Sequence, residues 1–366
     1  MAMNKKPLKA KGNKARKKQL LAQEVQHIDV TKLPGIVATV DSMKSMAFSA
    51  RDLARAADIY DRMLKDKSCG IILTLAGSLI SAGLKKVIVD MLRNNMIDAI
   101  VSTGANIVDQ DFFESLGFRH YIAGDEFKSG MFDGELRELA IDRIYDTFID
   151  EEDLRICDEA TQKIFDGLEP GTYSSRQLIA EFGRYLDDNG GPKCEDSIIY
   201  EAFKRDVPIF CPAFSDCSAG FGLVHHLHSK EGEAHVAWDG GKDFYELTQL
   251  KIANPTTGIF MIGGGVPKNF TQDIVVAAEV LGHDAPMHKY AIQITVADVR
   301  DGALSSSTLK EASSWGKVDT ALEQMVYSEA TLAMPLIVGY GYHKGSWKAR
   351  KGKKWASVLD RQLATA

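Results

Sequence analysis

Short apolar runs alternate with helical patterns along most of the chain. GIILTLA at 70–76 has the character of a buried strand, and GSLISAG and then LKKVIVDMLRNN follow it, the last with apolar positions every three or four residues. That succession predicts strand, loop and helix. DAIVSTGAN (98–106), VPIFCPAFSD (207–216), TGIFMIGGG (257–265) and KYAIQITVAD (289–298) repeat the strand-and-loop form, and a helical VVAAEVLG follows the glycine triplet. Buried strands separated by helices run parallel with right-handed crossovers, so the pattern predicts an α/β fold with a doubly wound, mostly parallel sheet of Rossmann-like type. Residues 134–204 break the alternation, being richly charged and helical in pattern around the loop DDNGGPKCED. They predict a helical insertion within a single domain spanning 26–366. No repeat of solenoid period is present.

The two ends of the chain differ from this body. The first twenty residues hold eight Lys and Arg and no acid, so the rest carries −14 against −6 for the whole. Residues 1–25 are expected to be a disordered basic tail, because such runs are usually solvated even when they can grip an anionic surface. Lys348, Arg350, Lys351, Lys353 and Lys354, interleaved with Trp347 and Trp355, form a second basic segment within 341–366. Basic and aromatic residues together can bind nucleic acid. With no RNP-like or helix-turn-helix pattern beside them, the reading preferred is that the tryptophans pack on the core, and no nucleic-acid partner is expected.

Composition narrows the class. At 366 residues, 45% hydrophobic and 26% charged, the chain can bury a sizeable core without metals or disulfides. Its five cysteines, Cys69, Cys157, Cys194, Cys211 and Cys217, are odd in number and widely spread, with no CxxC. A reducing, cytoplasmic setting is the simplest account. No apolar stretch approaches a membrane span, and no secretory signal follows the charged start.

In a parallel sheet ligands bind beyond the carboxyl ends of the strands. The loops there read Ala76-Gly77-Ser78, Ser102-Thr103-Gly104-Ala105-Asn106, Ser215-Asp216-Cys217-Ser218-Ala219-Gly220 and Gly263-Gly264-Gly265. Small residues let a pyrophosphate approach backbone N–H groups, so a dinucleotide is a candidate ligand, although neither GxGxxG nor GxxxxGK[ST] occurs. A second candidate is SSWGK, where Lys317 follows Trp315 and Gly316, with Glu311 upstream. A lysine in an apolar, aromatic setting can become the neutral amine that forms an imine. The bland alternative is a surface turn with a snorkelling lysine. Asp298, Asp301 and Glu311 could hold a cationic substrate. The run His225, His226 and His228, with His235, is read as a structural cluster in which His226 and His228 share a strand face; it lacks a carboxylate or cysteine at ligand spacing, so no metal is expected. GxSxG, HExxH and kinase signatures are absent.

AFSDCSAG, GGGVPKN and EASSWGK on a doubly wound sheet together resemble the deoxyhypusine synthase family, from about residue 35 to about residue 340. LISAG and NNMIDAIVSTGAN fit the same pattern. The resemblance implies NAD on a Rossmann-like domain, a W-G-K lysine that carries an aminobutyl group as an imine, and a homotetramer with sites at subunit interfaces. It also implies an N-terminal segment able to cover the site entrance. Lys317 would then form the imine, Trp315 would wall the amine tunnel, and Glu311, Asn269 and Asp273 would lie in the amine site. NAD contacts would fall on Ser78, Thr103, Gly104, Asp109, Asp216 and Glu329.

The chain departs from the family most in the amine site. Val108-Asp109 stands where the family has two adjacent acids, Phe221 where an aspartate contacts spermidine, and Leu304 where another acid stands. Asn269 replaces a histidine, Asp273 an asparagine, and Ser78 an asparagine of the cofactor site. Carboxylates that pair with ammonium groups are costly to lose. The donor or the acceptor is therefore expected to have changed, and the expected function is an NAD-dependent transfer of an aminoalkyl group from a polyamine to an amine acceptor, acting on a small amine, homospermidine synthase-like and part of polyamine metabolism. The alternatives are a true deoxyhypusine synthase acting on a translation-factor lysine, and a non-catalytic NAD-binding scaffold.

Overall fold

The computed structural model describes residues 13–125, 130, 133–190 and 194–365. Six parallel strands form the main sheet, numbered here in chain order: β1 (Gly70–Leu75), β2 (Ala99–Ser102), β3 (Ile209–Phe210), β4 (Thr257–Ile262), β5 (Tyr290–Thr295) and β6 (Glu323–Tyr327). Their spatial order is β6-β5-β4-β1-β2-β3, the doubly wound order in which the chain reverses direction between β1 and β4. β1, β4 and β5 are buried along their whole length, which is why they read as mainly apolar runs, interrupted inside β1 by Thr74 and inside β5 by Gln293. Alternate residues serve opposite layers: Ile71, Leu73 and Leu75 join one core cluster, and Ile72, Ile259 and Met261 the other. Helices Phe48–Lys65 and Ala330–Lys344 pack with the first cluster, and Gly240–Ala253, Gly265–Val280 and Trp355–Thr365 with the second.

Several expectations are revised. Residues 134–204 hold the helices Glu151–Asp166 and Ser175–Asn189 and all but the last residue of Ile198–Arg205, but also a hairpin of Ile141–Ile144 with Thr147–Asp150 and the strand Gly171–Tyr173. IDRI and TFID show no two-residue alternation of polar and apolar positions, so the charged stretch around the two-residue turn does not read as a hairpin. The basic tail is not wholly irregular: Lys14–Leu20 is an exposed helix capped by the Asn13 side chain, while residues 1–12 lie outside those described. His226 and His228 lie on a helix, Ser218–Ser229, rather than on a strand face. There His226 Nδ1 meets Asp166 Oδ1 at 2.6 Å and Nε2 accepts from Val236 N at 3.0 Å, so its role is to join elements.

The C-terminal segment closes the core. Trp355 is buried against Gly70, where an added Cβ would lie 2.4 Å from the indole. Trp347 stacks on Tyr342 with centroids 5.3 Å apart. Arg350, one of the basic cluster, is buried and paired with Asp98. The five cysteines are buried, with no disulfide between them. Among the described residues, no helix is long and apolar enough to cross a membrane.

Candidate active site

The reversal of strand order opens a cleft beyond the carboxyl ends of β1, β2 and β4. It measures about 150 Å³ and is lined by Ser102, Thr103, Gly104, Asp216 and the first residues of the helix Gly265–Val280. Gly77 (φ 71°) and Gly265 (φ 64°) adopt left-handed backbone and have open space where a Cβ would project. A Cβ on Gly264 would meet Ser305 Cα at 2.3 Å, and one on Gly104 would meet Cys217 Sγ at 2.4 Å. The helix that starts at Gly265 has no side-chain cap, so its N-terminal N–H groups remain for an anion. Ser102 Oγ, at the cleft wall, is buried without a hydrogen-bond partner. An open glycine cradle, an uncapped helix N-terminus and an orphaned hydroxyl at the topological switch point together fit the pyrophosphate region of a dinucleotide such as NAD.

Asn106, the last residue of the small polar loop after β2, fastens this cleft together. Its Nδ2 donates to Gly77 O at 3.0 Å and to Thr103 Oγ1 at 2.9 Å, and its Oδ1 accepts from Leu79 N at 2.7 Å. The loops after β1 and β2 are thereby locked to each other. Three expected cofactor residues stand apart from the lining. Asp109 accepts from Ser218 N at 2.6 Å, at the start of the helix Ser218–Ser229; burial raises its pKa, and the neighbouring Asp158 and Asp216 add to the effect. Glu329 caps the helix Ala330–Lys344, accepting from Thr331 N at 2.8 Å. Ser78 is half-buried beside Gly77, its carbonyl accepting from Ser81 Oγ.

The amine cluster is assembled by three segments. The helix Leu309–Ser314, capped by Thr308, ends at Trp315; Gly316 (φ 71°) turns the chain and presents Lys317. The main chain of Lys317 is fixed from behind, since His288 N donates to Lys317 O and Asp319 N donates to His288 O, each at 3.0 Å. His288 is fully buried, and burial with the nearby Lys251 charge holds its pKa well down. Its ring lies 2.8 Å from Thr257 Oγ1 and 3.1 Å from Thr271 O, tying Lys317 to β4 and to the helix Gly265–Val280. From that helix Asn269 and Asp273, one turn apart on the same face, meet Lys317. Nζ lies 2.5 Å from Asp273 Oδ1 and 3.4 Å from Asn269 Oδ1, and Asn269 Nδ2 donates to Asp273 Oδ2 at 2.7 Å.

Nζ also sits 5.4 Å from the Trp315 ring, which is 67% exposed. The group faces a cleft of about 570 Å³ whose other walls come from Phe244, Tyr245, Val276 and Val280. The setting is aromatic, as SSWGK suggests, but it contains a carboxylate in direct contact with the lysine. Glu311 is exposed and outside the cleft lining. Its charge acts instead on Lys268, a residue that pattern reading passed over although it stands beside Asn269 in GGGVPKN. Lys268 is buried and donates to Leu304 O at 3.2 Å and Ser307 Oγ at 2.8 Å. Burial brings its pKa down to about 8, with the Lys317 charge pushing the same way and Glu311 opposing.

The expected residues thus fall into two groups. Thr103, Gly104 and Asp216 share one cleft, and Lys317, Trp315, Asn269 and Asp273 cluster at the other. The two clefts share no lining residue, but the helix Gly265–Val280 serves both, its first turn lining one and its third and fourth turns the other.

Comparison with known proteins places these features in a lineage. A family model described as deoxyhypusine synthase matches residues 38–340. A deoxyhypusine synthase-like protein of Chlorobaculum parvum is 63% identical over 347 residues, 94% of this chain and 97% of the relative. One from Coxiella burnetii is 56% identical over 343 residues, 94% of this chain and 96% of the relative. The crystal structure of a protein assigned as a deoxyhypusine synthase from Entamoeba histolytica aligns with a TM-score of 0.58 at 17% identity, covering 87% of this chain and 97% of that one. The last comparison speaks to the fold alone.

Proposed function

The chain belongs to the deoxyhypusine synthase family, which supports transferase chemistry of the aminobutyl type, and from that membership we propose an NAD-dependent transfer of an aminoalkyl group from a polyamine to a small amine through an imine on Lys317. This is homospermidine synthase-like chemistry, placed in polyamine metabolism. The observation that carries it is the Lys317 cluster: an amine against an aromatic ring and a carboxylate, at the mouth of a largely apolar cleft. Thr103, Gly104, Asp216 and the loop Gly263–Gly265 would hold NAD. Bound there, NAD supplies a hydride acceptor for the carbon next to an amine nitrogen and later returns the hydride.

The residues of the chain do the rest. Lys317 provides the nitrogen that takes over the alkylidene fragment and hands it to the second amine. Trp315 offers a π face to ammonium groups, and His288, Thr257 and Thr271 keep the lysine main chain in register with Asn269 and Asp273. We place the functional unit as a homotetramer in the cytoplasm. Two clefts without a lining residue in common, and a Trp315 ring left two-thirds exposed, support completion of each site by a neighbouring copy; five buried cysteines without a disulfide among them support the compartment.

The test is intact mass after incubation with NAD and a panel of spermidine, putrescine, agmatine and related amines, followed by borohydride reduction. An adduct mapping to Lys317 is expected with at least one amine, and none in Lys317→Ala. Transfer that persists in Lys317→Ala removes the imine role.

A further inference from the structure

Resting on that reading of the site, the geometry points to Asp273 as a latch: it holds Lys317 as a paired ammonium until the ammonium group of an incoming amine displaces the lysine from the carboxylate.

The argument begins with the walls of the cleft. Among the described residues that line it, Asp273 is the one carboxylate and Lys317 the one cation; the remainder are glycine, alanine, threonine, valine, leucine and aromatic side chains. A cationic amine entering this space finds a single anion, and that anion already lies 2.5 Å from Nζ. Desolvated ammonium groups need a partner. Lysine and substrate therefore compete for one carboxylate.

The competition has a chemical consequence. A lysine tied to a carboxylate as an ammonium has no lone pair to offer. When a second ammonium takes the carboxylate, two like charges share a cleft with low-dielectric walls, and the cheaper state has one of them neutral. The proton leaves Nζ for solvent, the amine becomes a nucleophile, and no bond other than N–H is broken. The groups facing Nζ fit this exchange. Asn269 supplies a weaker, 3.4 Å contact and orients Asp273 through its Nδ2, so the carboxylate stays in place after Lys317 departs. Trp315, on the segment of Lys317 itself, gives the displaced nitrogen an aromatic face. Lys268, on the helix that bears Asp273, adds positive potential. Tyr245, on the opposite helix, contributes the remaining titratable group of the lining.

The latch also selects substrates. With one carboxylate to pair with, the cleft favours an amine that brings one ammonium to this depth and follows it with a methylene chain lying against Phe244, Tyr245 and Val276.

The test reads Lys317 directly and needs neither NAD nor turnover. The full chain is labelled with trace acetic anhydride at neutral pH, and acetylation of Lys317 relative to the exposed Lys86 is measured by peptide mass spectrometry. In the wild-type protein, saturating 1,4-diaminobutane is expected to raise the Lys317 ratio severalfold instead of protecting it. In Asp273→Asn, which removes the 2.5 Å contact to Nζ, the ratio without the amine is expected to match that of the amine-saturated wild type, and to be insensitive to the amine. Asp273→Ala, checked for folding by circular dichroism, should behave as Asp273→Asn does. Protection of Lys317 by the amine, no response to it, or wild-type labelling in both variants overturns the latch. Borohydride trapping with NAD and the whole amine panel addresses transfer separately: a labelling response without a trapped adduct from any amine of the panel leaves the latch standing and removes the transferase reading.

Discussion

Two ion pairs in this molecule have the same formal chemistry and opposite construction. Arg350 and Asp98 are sealed, with side chains 1% and 0% exposed; Lys317 and Asp273 are 13% and 29% exposed at the wall of an open cleft. Arg350 bonds both oxygens of Asp98, and also the carbonyls of Cys69, at 3.0 Å, and of Asn95. Asp98 in turn accepts from Ile71 N at 2.8 Å and Lys353 N at 3.0 Å. Only Arg350 Nε is left without a partner in that clamp. Lys317 has one close oxygen and one distant one. The sealed pair cannot exchange partners without opening the core, whereas the open pair can do so whenever a competing cation arrives. Redundant bonds mark the pair that holds the fold, and a single short contact marks the pair available for chemistry.

The most severe break in this comparison is Arg350→Ala. It strands Asp98 in the core without its counter-ion, and the cost expected in urea unfolding is about 3–5 kcal/mol. A loss below about 1 kcal/mol, the range of surface pairs, would show that the clamp is not sealed in solution. Arg350→Met, which removes the charge but keeps much of the volume, should be nearly as damaging, because the uncompensated carboxylate remains. Arg350→Met together with Asp98→Asn should recover part of the loss.

Arg350 also shows where sequence reading stops. In the chain it is one of five cations between residues 348 and 354, and charge density there suggests a solvated surface; burial comes from Asp98, some 250 residues away, which no local pattern links to it. The strands divide in the same way. β1, β4 and β5 are legible because both of their faces are covered, so apolar residues dominate them. β6 (EQMVY) escapes because it is an edge strand with partly exposed positions. In the site, Trp315 and Lys317 are two positions apart in sequence and were legible through the resemblance of SSWGK to a family motif. Asp273 and Asn269 were placed in the amine site by the same route, but their direct contact with Nζ depends on His288, which joins the lysine segment to their helix.

A milder break is Lys317→Ala assayed for stability. Asp273 faces the cleft and can be resolvated, so the expected change in unfolding free energy is about 1 kcal/mol or less, even as transfer is lost. The contrast with Arg350→Ala, measured in the same urea series, is the sharpest form of the comparison. Equal losses for the two variants would mean that the open pair also supports the fold, and the latch would then be too rigid to release.

Glu329→Ala tests the boundary of the cofactor site. Its carboxylate caps the helix Ala330–Lys344 through Thr331 N and Leu332 N, so removal should cost about 1 kcal/mol by the usual range for lost caps. If Glu329 serves only the helix, the Kd for NAD measured by calorimetry stays unchanged in the folded variant; a tenfold weaker Kd would assign the carboxylate a second task at the cofactor.

The smallest effect is expected where exposure and redundancy are separated. Asp66 accepts from Lys289 Nζ at 2.7 Å, Tyr290 Oη at 3.0 Å and Ser68 N at 3.0 Å, yet its partner Lys289 is about half exposed. Burial alone would raise the Asp66 pKa, but the bonds from Lys289, Ser68 and Tyr290 outweigh it and hold the carboxyl well below the usual range. Because the folded value lies below the unfolded one, the stabilisation is fully present above about pH 4 and fades as pH falls through the folded value. Asp66→Asn should therefore flatten the acid limb of the stability profile and cost about 1 kcal/mol or less at neutral pH, since solvent screens the pair. If the acid limb is identical in the variant, multiple bonds contribute nothing without burial, and the strength of the Arg350 clamp must then come from its enclosure rather than from the number of its partners.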